Sequence, residues 1–219
     1  MKKYLPILRR CALFRHIDED SLLTMLGCLG AKVALFDKKY TVFAEGSAAH
    51  HIGVVLSGSI QIVRVDLEGN RSILAELGEA DSFGEAFACA GVEALPVAVI
   101  ANEPAEVMLL DCRHILHTCE NRCGFHQQLI FNLMQELAAK VMDFHQKIEV
   151  ISRRTTREKL LTYLQIQAKE QGSNRFTIPF DRQELADYLE VERSGLSAEI
   201  SKLRAEGVLD SHRKEFVLF

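Results

Sequence analysis

The chain has 219 residues, 26 Lys and Arg against 30 Asp and Glu, and 48% hydrophobic residues, the composition of a folded globular protein rather than a disordered one. No apolar run approaches the roughly 20 residues that span a bilayer, and Arg9 with Arg10 leaves no room for an apolar secretion signal. Six cysteines without such a signal argue against a disulfide framework and for a reducing cytoplasm.

Charge becomes informative when divided. Residues 153–219 hold 12 basic and 11 acidic side chains, whereas residues 1–152 hold 14 and 19. The net charge of −4 excludes wholesale polyanion binding but permits a local basic face in the C-terminal third.

From about Ala31 to Asp111 the pattern predicts short strands separated by turns. Gly46, Gly53, Gly58, Gly69, Gly78, Gly84 and Gly91 punctuate this stretch. Strand-like segments lie between them at Ile52–Leu56, Ser59–Val65, Ile73–Leu77, Val97–Ile100 and Glu106–Leu110. Ser59 to Val65 alternates polar and apolar residues, as a half-buried strand does. Leu67-Glu68-Gly69-Asn70 supplies a turn between two strands. Many short strands with even glycine spacing predict a closed or rolled antiparallel structure.

Residues 122–151 contain no proline and one glycine. Ile130, Leu133, Leu137, Val141, Phe144, Ile148 and Ile151 follow at spacings of three and four, close to a heptad seam. A helix of this length either crosses its own domain or pairs with a second copy. Ser152-Arg153-Arg154 breaks the seam, and Thr155-x-x-Glu158 has the spacing of a capping box. The break from Ile151 to Thr155 is the candidate interdomain hinge.

Asp181-x-x-Glu184 repeats the capping-box spacing and predicts a short helix from Arg182 to Leu189. After the turn Glu190-Val191-Glu192, a second helix runs from about Arg193 to Glu206 and ends at Gly207. This is a helix-turn-helix pattern. Val208–Asp210 and Phe216–Phe219 predict two short strands with His212-Arg213-Lys214 at the tip, a basic wing.

A glycine-punctuated β-roll, a long helix and a winged helix-turn-helix together resemble the Crp/Fnr family of bacterial transcription regulators. The resemblance covers essentially the whole chain. Its most specific stretches are Ser82-Phe83-Gly84-Glu85, Arg182-Gln183-Glu184-Leu185-Ala186 and Arg193-Ser194. It implies an α+β protein with three parts: a sensing β-roll with N-terminal helices (1–121), a dimerisation helix (122–151) and a DNA-binding winged helix (152–219). It also implies a homodimer on palindromic double-stranded DNA, a small-molecule effector sensed in the roll, and RNA polymerase as a further partner. Arg193, Ser194, Ser197, Ala198 and Ser201 are the expected recognition-helix residues. Arg193 is the candidate base reader, because a guanidinium can bond guanine bidentately. Arg182, Gln183 and Arg213 are the expected phosphate contacts. Cyclic-AMP-responsive relatives carry arginine and glutamate where Ala198 and Ser194 stand here, so these departures point away from the TGTGA-type half-site.

Cyclic-nucleotide members bind the phosphate with a Gly-Glu pair and, about ten residues later, an Arg-Ser or Arg-Thr pair. Gly84-Glu85 is present, but the second segment reads Ala94-Leu95-Pro96-Val97. Leu95 and Pro96 cannot neutralise a phosphate, and proline lacks an N–H. Cyclic AMP is therefore not the expected effector. The cysteines offer another signal. The N-terminal cluster of the family's oxygen-sensing branch is absent, but Cys112, Cys119 and Cys123 lie near His114, His117 and His126. Thiolate and imidazole at that density can hold zinc, an iron–sulfur cluster or haem iron. The alternatives are a thiol switch at Cys119 and Cys123, or plain buried cysteines.

Two other classes fit the sequence less well. A cupin-type enzyme needs a His-x-His motif, which does not occur. A sensor that regulates a protein partner without DNA leaves the basic wing and the Arg193 helix unexplained. No catalytic constellation stands out.

Overall fold

The computed structural model describes residues 1–66, 68–116 and 124–219. The chain divides into two compact units, residues 1–65 with 74–141 and residues 66–73 with 142–219.

The first unit opens with α1 (Leu5–Leu8), a short 3₁₀ turn and α2 (Glu19–Cys28). Asp18 caps α2 by accepting the Ser21 amide. The strands follow as β1 (Lys32–Phe36), β2 (Thr41–Phe43), β3 (His51–Ser57), β4 (Ile60–Val65), β5 (Arg71–Leu77) and β6 (Ser82–Phe83). After α3 (Glu85–Cys89) come β7 (Ala98–Ala101), β8 (Ala105–Asp111) and α4 (Cys112–Leu116). They form two four-stranded sheets, ordered β1-β8-β3-β6 and β2-β7-β4-β5. The rolled β structure expected from the glycine spacing is thus present.

Strand periodicity sorts the two faces of the first sheet. Ile52, Val54 and Leu56 of β3, with Met108 and Leu110 of β8, share a core with α1, α2 and the N-terminal turns. Val55 and Val107 face the other way and pack with Ile60, Phe83, Val99 and Ala101. Both faces of β3 are covered, which accounts for its nearly continuous apolar run.

The long helix is α5 (Gly124–Ile151). In the second unit, α6 (Thr156–Gln171) begins at a complete capping box between Thr155 and Glu158 and ends at Gly172, which has φ 63°. β9 (Arg175–Thr177), α7 (Arg182–Leu189), α8 (Arg193–Ala205), β10 (Leu209–His212) and β11 (Glu215–Leu218) follow. Their sheet is ordered β10-β11-β9. β9 is a third wing strand that the sequence pattern did not announce. Among the described residues, no helix is long and apolar enough to cross a membrane.

Candidate nucleic-acid interface

The C-terminal head is built to fix two helices and a wing against one another. α7 starts at a capping box in which Asp181 accepts the Glu184 amide and Glu184 accepts the Asp181 amide. It stops at Glu190, whose φ of 53° turns the chain. Lys159 of α6 donates to the carbonyls of Leu189 and Glu190 at 3.1 and 3.2 Å, satisfying exposed acceptors at that helix end. Leu185, Ala186 and Leu189 of α7 are buried, as are Leu196, Ile200 and Leu203 of α8. Arg157 adds a clamp on α8, bonding Glu199 at 3.3 Å and Glu206 at 2.7 Å.

Burying that stripe turns the opposite side of α8 outward. Arg193, Ser194, Ala198 and Ser201 are exposed, whereas Ser197 is half-buried. The Ser201 hydroxyl donates to the Ser197 carbonyl at 3.0 Å. Gln183 is exposed and donates to Asp187 at 2.7 Å.

The start of α7, the start of α8 and the wing tip converge on one open cleft of about 690 Å³. Its lining is Asp181, Arg182, Gln183, Arg193, Arg213 and Lys214. Arg213 holds the tip of the wing with φ 53°, and Lys214 donates to the Pro179 carbonyl. Arg182 is half-buried, with its guanidinium 5.8 Å from the centre of the Phe216 ring. Burial lowers its pKa, and nearby Arg204 adds to the effect. Its Nη1 is buried without a hydrogen-bond partner. Four cations, Arg182, Arg193, Arg213 and Lys214, around one open cleft favour an anion there.

The residues expected to hold a cyclic nucleotide are differently engaged. Gly84 has φ 81°, and a Cβ there would lie 3.0 Å from the Phe43 ring and 3.1 Å from the His51 carbonyl. The glycine thus has a packing reason of its own. Glu85 is fully buried and ion-paired with Lys140 of α5. Lys140 also donates to the Ser82 carbonyl. Leu95 is buried in a loop whose backbone pairs with Gly46 and Ser47, and Pro96 beside it is exposed. Both Glu85 oxygens are buried without a hydrogen-bond partner, and leucine and proline stand where the arginine that neutralises a cyclic phosphate is expected.

The expected seam on α5 is divided by the structure. Leu133 belongs to the core of the first unit, and Leu137 packs half-buried against that core. Ile130 and Ile151 are half-buried, while Val141, Phe144 and Ile148 are exposed. Met134, absent from the sequence pattern, is 56% exposed on the same side as Ile130 and Val141. It continues the apolar stripe one position round from Leu133.

Cys119 and Cys123 lie outside the described residues. Cys112 is buried at the start of α4, with its sulfur 3.8 Å from that of Cys89. Among the described residues, no group of three His, Cys, Asp or Glu side chains is placed to hold a metal. His126 is buried and bonded to the Ile115 carbonyl at 3.0 Å.

Comparison with known proteins matches two family models. Residues 34–122 match the cyclic nucleotide-binding domain, and residues 158–218 match the Crp-like helix-turn-helix domain. A CRP-like cAMP-activated global transcriptional regulator of Mycobacterium tuberculosis is 29% identical over 79 residues, 36% of this chain. That alignment spans about a third of the relative's own length, 34%. The transcriptional activator protein FnrA of Stutzerimonas stutzeri is 23% identical over 81% of this chain and 72% of its own. Among solved structures, the c-di-GMP-responsive global regulator CLP of Xanthomonas campestris superposes with a TM-score of 0.75 at 18% identity. That superposition covers 92% of this chain and 99% of the other, and shows a shared fold.

Proposed function

The chain belongs to the Crp/Fnr family of bacterial transcription regulators, and from that premise we propose that it is a homodimeric regulator that reads specific double-stranded DNA. The observation that carries this reading is the cationic cleft. It brings the α7 start, the α8 start and the wing tip together, with Arg182, Arg193, Arg213 and Lys214 in its lining. A backbone phosphate in this cleft would meet Arg182, Arg213 and Lys214 together. Phosphate contacts of this kind fix register without reading sequence. Arg193, Ser194, Ala198 and Ser201 then face the base edges from the exposed side of α8.

The sensory input in this proposal is a signal other than cyclic AMP. Leu95 with Pro96 offers the phosphate no cation, and the buried Glu85 faces Lys140 across an ion pair. Dimerisation is proposed along α5 through Ile130, Met134, Val141, Phe144 and Ile148, with Leu133 serving the core of its own unit.

The test is a binding selection on random duplexes followed by titration of the enriched site in rising salt. Specific binding with a steep salt dependence is expected. Arg193→Ala should cost about 1–3 kcal/mol of discrimination at the base it reads. Equal affinity of the wild-type protein for enriched and random duplexes would overturn the reading.

A further inference from the structure

The sensory unit contains a pair of thiols that the fold brings together from distant stretches of sequence. Cys89 ends α3 and Cys112 begins α4, 23 residues apart, with their sulfurs 3.8 Å from each other. Cys112 is 2% exposed, whereas Cys89 is partly open to solvent. Cys112 also lines a cleft of about 450 Å³ together with His50, Ala88 and Arg113. The other described cysteines are not so placed: Cys11 is buried and Cys28 is exposed.

We propose that Cys89 and Cys112 are a modification site, a dithiol that hydroperoxides oxidise to an intramolecular disulfide. The two sulfurs already touch, so forming a bond near 2.05 Å requires a shift of under 2 Å shared between two short helices. Division of labour follows from exposure. Cys89 meets the oxidant, and Cys112 resolves the product. Donation from the Cys112 thiol lowers the Cys89 pKa, against the opposing effects of partial burial and the Glu85 charge. Cys112 is held protonated by the same contact and by burial.

The chemistry balances in two steps. The Cys89 thiolate attacks the terminal oxygen of the hydroperoxide, the O–O bond breaks, and the alcohol leaves with a proton. The product is Cys89 sulfenic acid. The Cys112 sulfur then attacks the Cys89 sulfur and the S–O bond breaks. The leaving hydroxide takes the Cys112 proton as water, and the S–S bond remains. Two thiols lose two electrons and two protons, and one hydroperoxide becomes one alcohol and one water. A thiol reductant reverses the change by exchange.

The site is placed to report on the rest of the sensory unit. α3 carries Glu85 at its first turn and Cys89 at its last, and Glu85 is the partner of Lys140 on α5. A bond from Cys89 to Cys112 ties that helix to the start of α4. The expected consequence, which rests on the DNA-binding reading above, is a changed affinity for the selected duplex.

The experiment treats the full chain with hydrogen peroxide, digests it without reduction and maps cross-linked peptides by mass. A linked Cys89–Cys112 peptide, two mass units lighter than the thiol pair and absent in Cys89→Ser, is expected. Oxidation of Cys28 without that link, or a Cys119–Cys123 link in its place, would overturn the site. The same oxidised samples are then titrated with the selected duplex. A shift of threefold or more in wild type and none in Cys89→Ser supports regulation. A mapped link with unchanged affinity overturns regulation. Reduced protein that binds no duplex overturns the DNA-binding reading, and the cross-link map still decides the dithiol.

Discussion

At Gly53 in β3, an added Cβ would lie 2.1 Å from Cζ of Phe83, far inside van der Waals contact. The ring belongs to the core between the two sheets, so it has little room to retreat. Gly53→Ala should therefore destabilise the protein by about 1–3 kcal/mol in urea melts. Combining it with Phe83→Leu should cost less than the sum of the two single changes, because the leucine vacates the space the methyl needs. Lys147 makes a second prediction at this scale. It is buried over the Tyr188 ring, 3.8 Å from its centre, and donates to the carbonyls of Ile73 and Tyr188. Burial nevertheless brings its pKa down from 10.5 to about 8. The unfolded chain thus holds this proton more tightly than the folded one. The burial cost is complete below pH 8 and fades as the pH rises through 8 toward 10.5. Wild-type stability relative to Lys147→Met should rise across that window, by an amount on the order of 3 kcal/mol. The upper end is best avoided, since buried Tyr188, raised to about 12, works with the opposite sign above pH 10. Chemical denaturation of both proteins at pH 7.5 and pH 9.5 checks the sign.

Capping boxes show how a few residues define an element. Thr155 with Glu158 and Asp181 with Glu184 both form the reciprocal bonds that their spacing implies. Thr155→Ala should remove about 1 kcal/mol from the second unit, measured by thermal or urea unfolding. These helices were legible because caps and 3.6-residue periodicity are local signals. β1, β2, β6 and β9 were not marked out as strands. β6 has two residues and β2 and β9 three each, too short to display alternation, and β1 carries Leu35 at 75% exposure. Their pairing is dictated by distant partners rather than by their own residues. The outward side of α8 was largely legible, since Leu196, Ile200 and Leu203 are buried on the other. Ser197 falls at the edge of the outward side and is half-buried. Arg182 was legible as a cation, but its place 5.8 Å from the Phe216 ring of the wing depends on the tertiary fold. The Cys89–Cys112 contact was hidden for a similar reason. Sequence spacing draws attention to Cys112, Cys119 and Cys123, and only tertiary structure brings Cys89 to Cys112.

The long helix tests the molecule as a whole. A three-four spacing fits both a core-facing stripe and a seam to a second copy, and α5 carries both side by side. Leu129 and Leu133 enter the core of the first unit, while Met134, Val141 and Ile148 stand 52–56% exposed on the adjacent side. Exposed apolar residues repeating every seven positions along one helix have the period of a two-stranded coiled coil. If α5 pairs two copies as proposed, the palindromic site it reads should carry half-sites about one DNA turn, roughly 34 Å, apart. Val141→Glu combined with Ile148→Glu should therefore yield a monomer by light scattering, with an unchanged far-ultraviolet spectrum, since neither side chain supports its own unit. On DNA, inserting about five base pairs between the half-sites of the selected duplex turns them to opposite faces. Wild-type affinity should then collapse toward that of a single half-site, because one head loses its phosphate and base contacts together. The monomeric variant should bind both spacings equally weakly. A wild-type protein indifferent to the insertion would mean that each head binds independently, and the dimer would have no part in recognition.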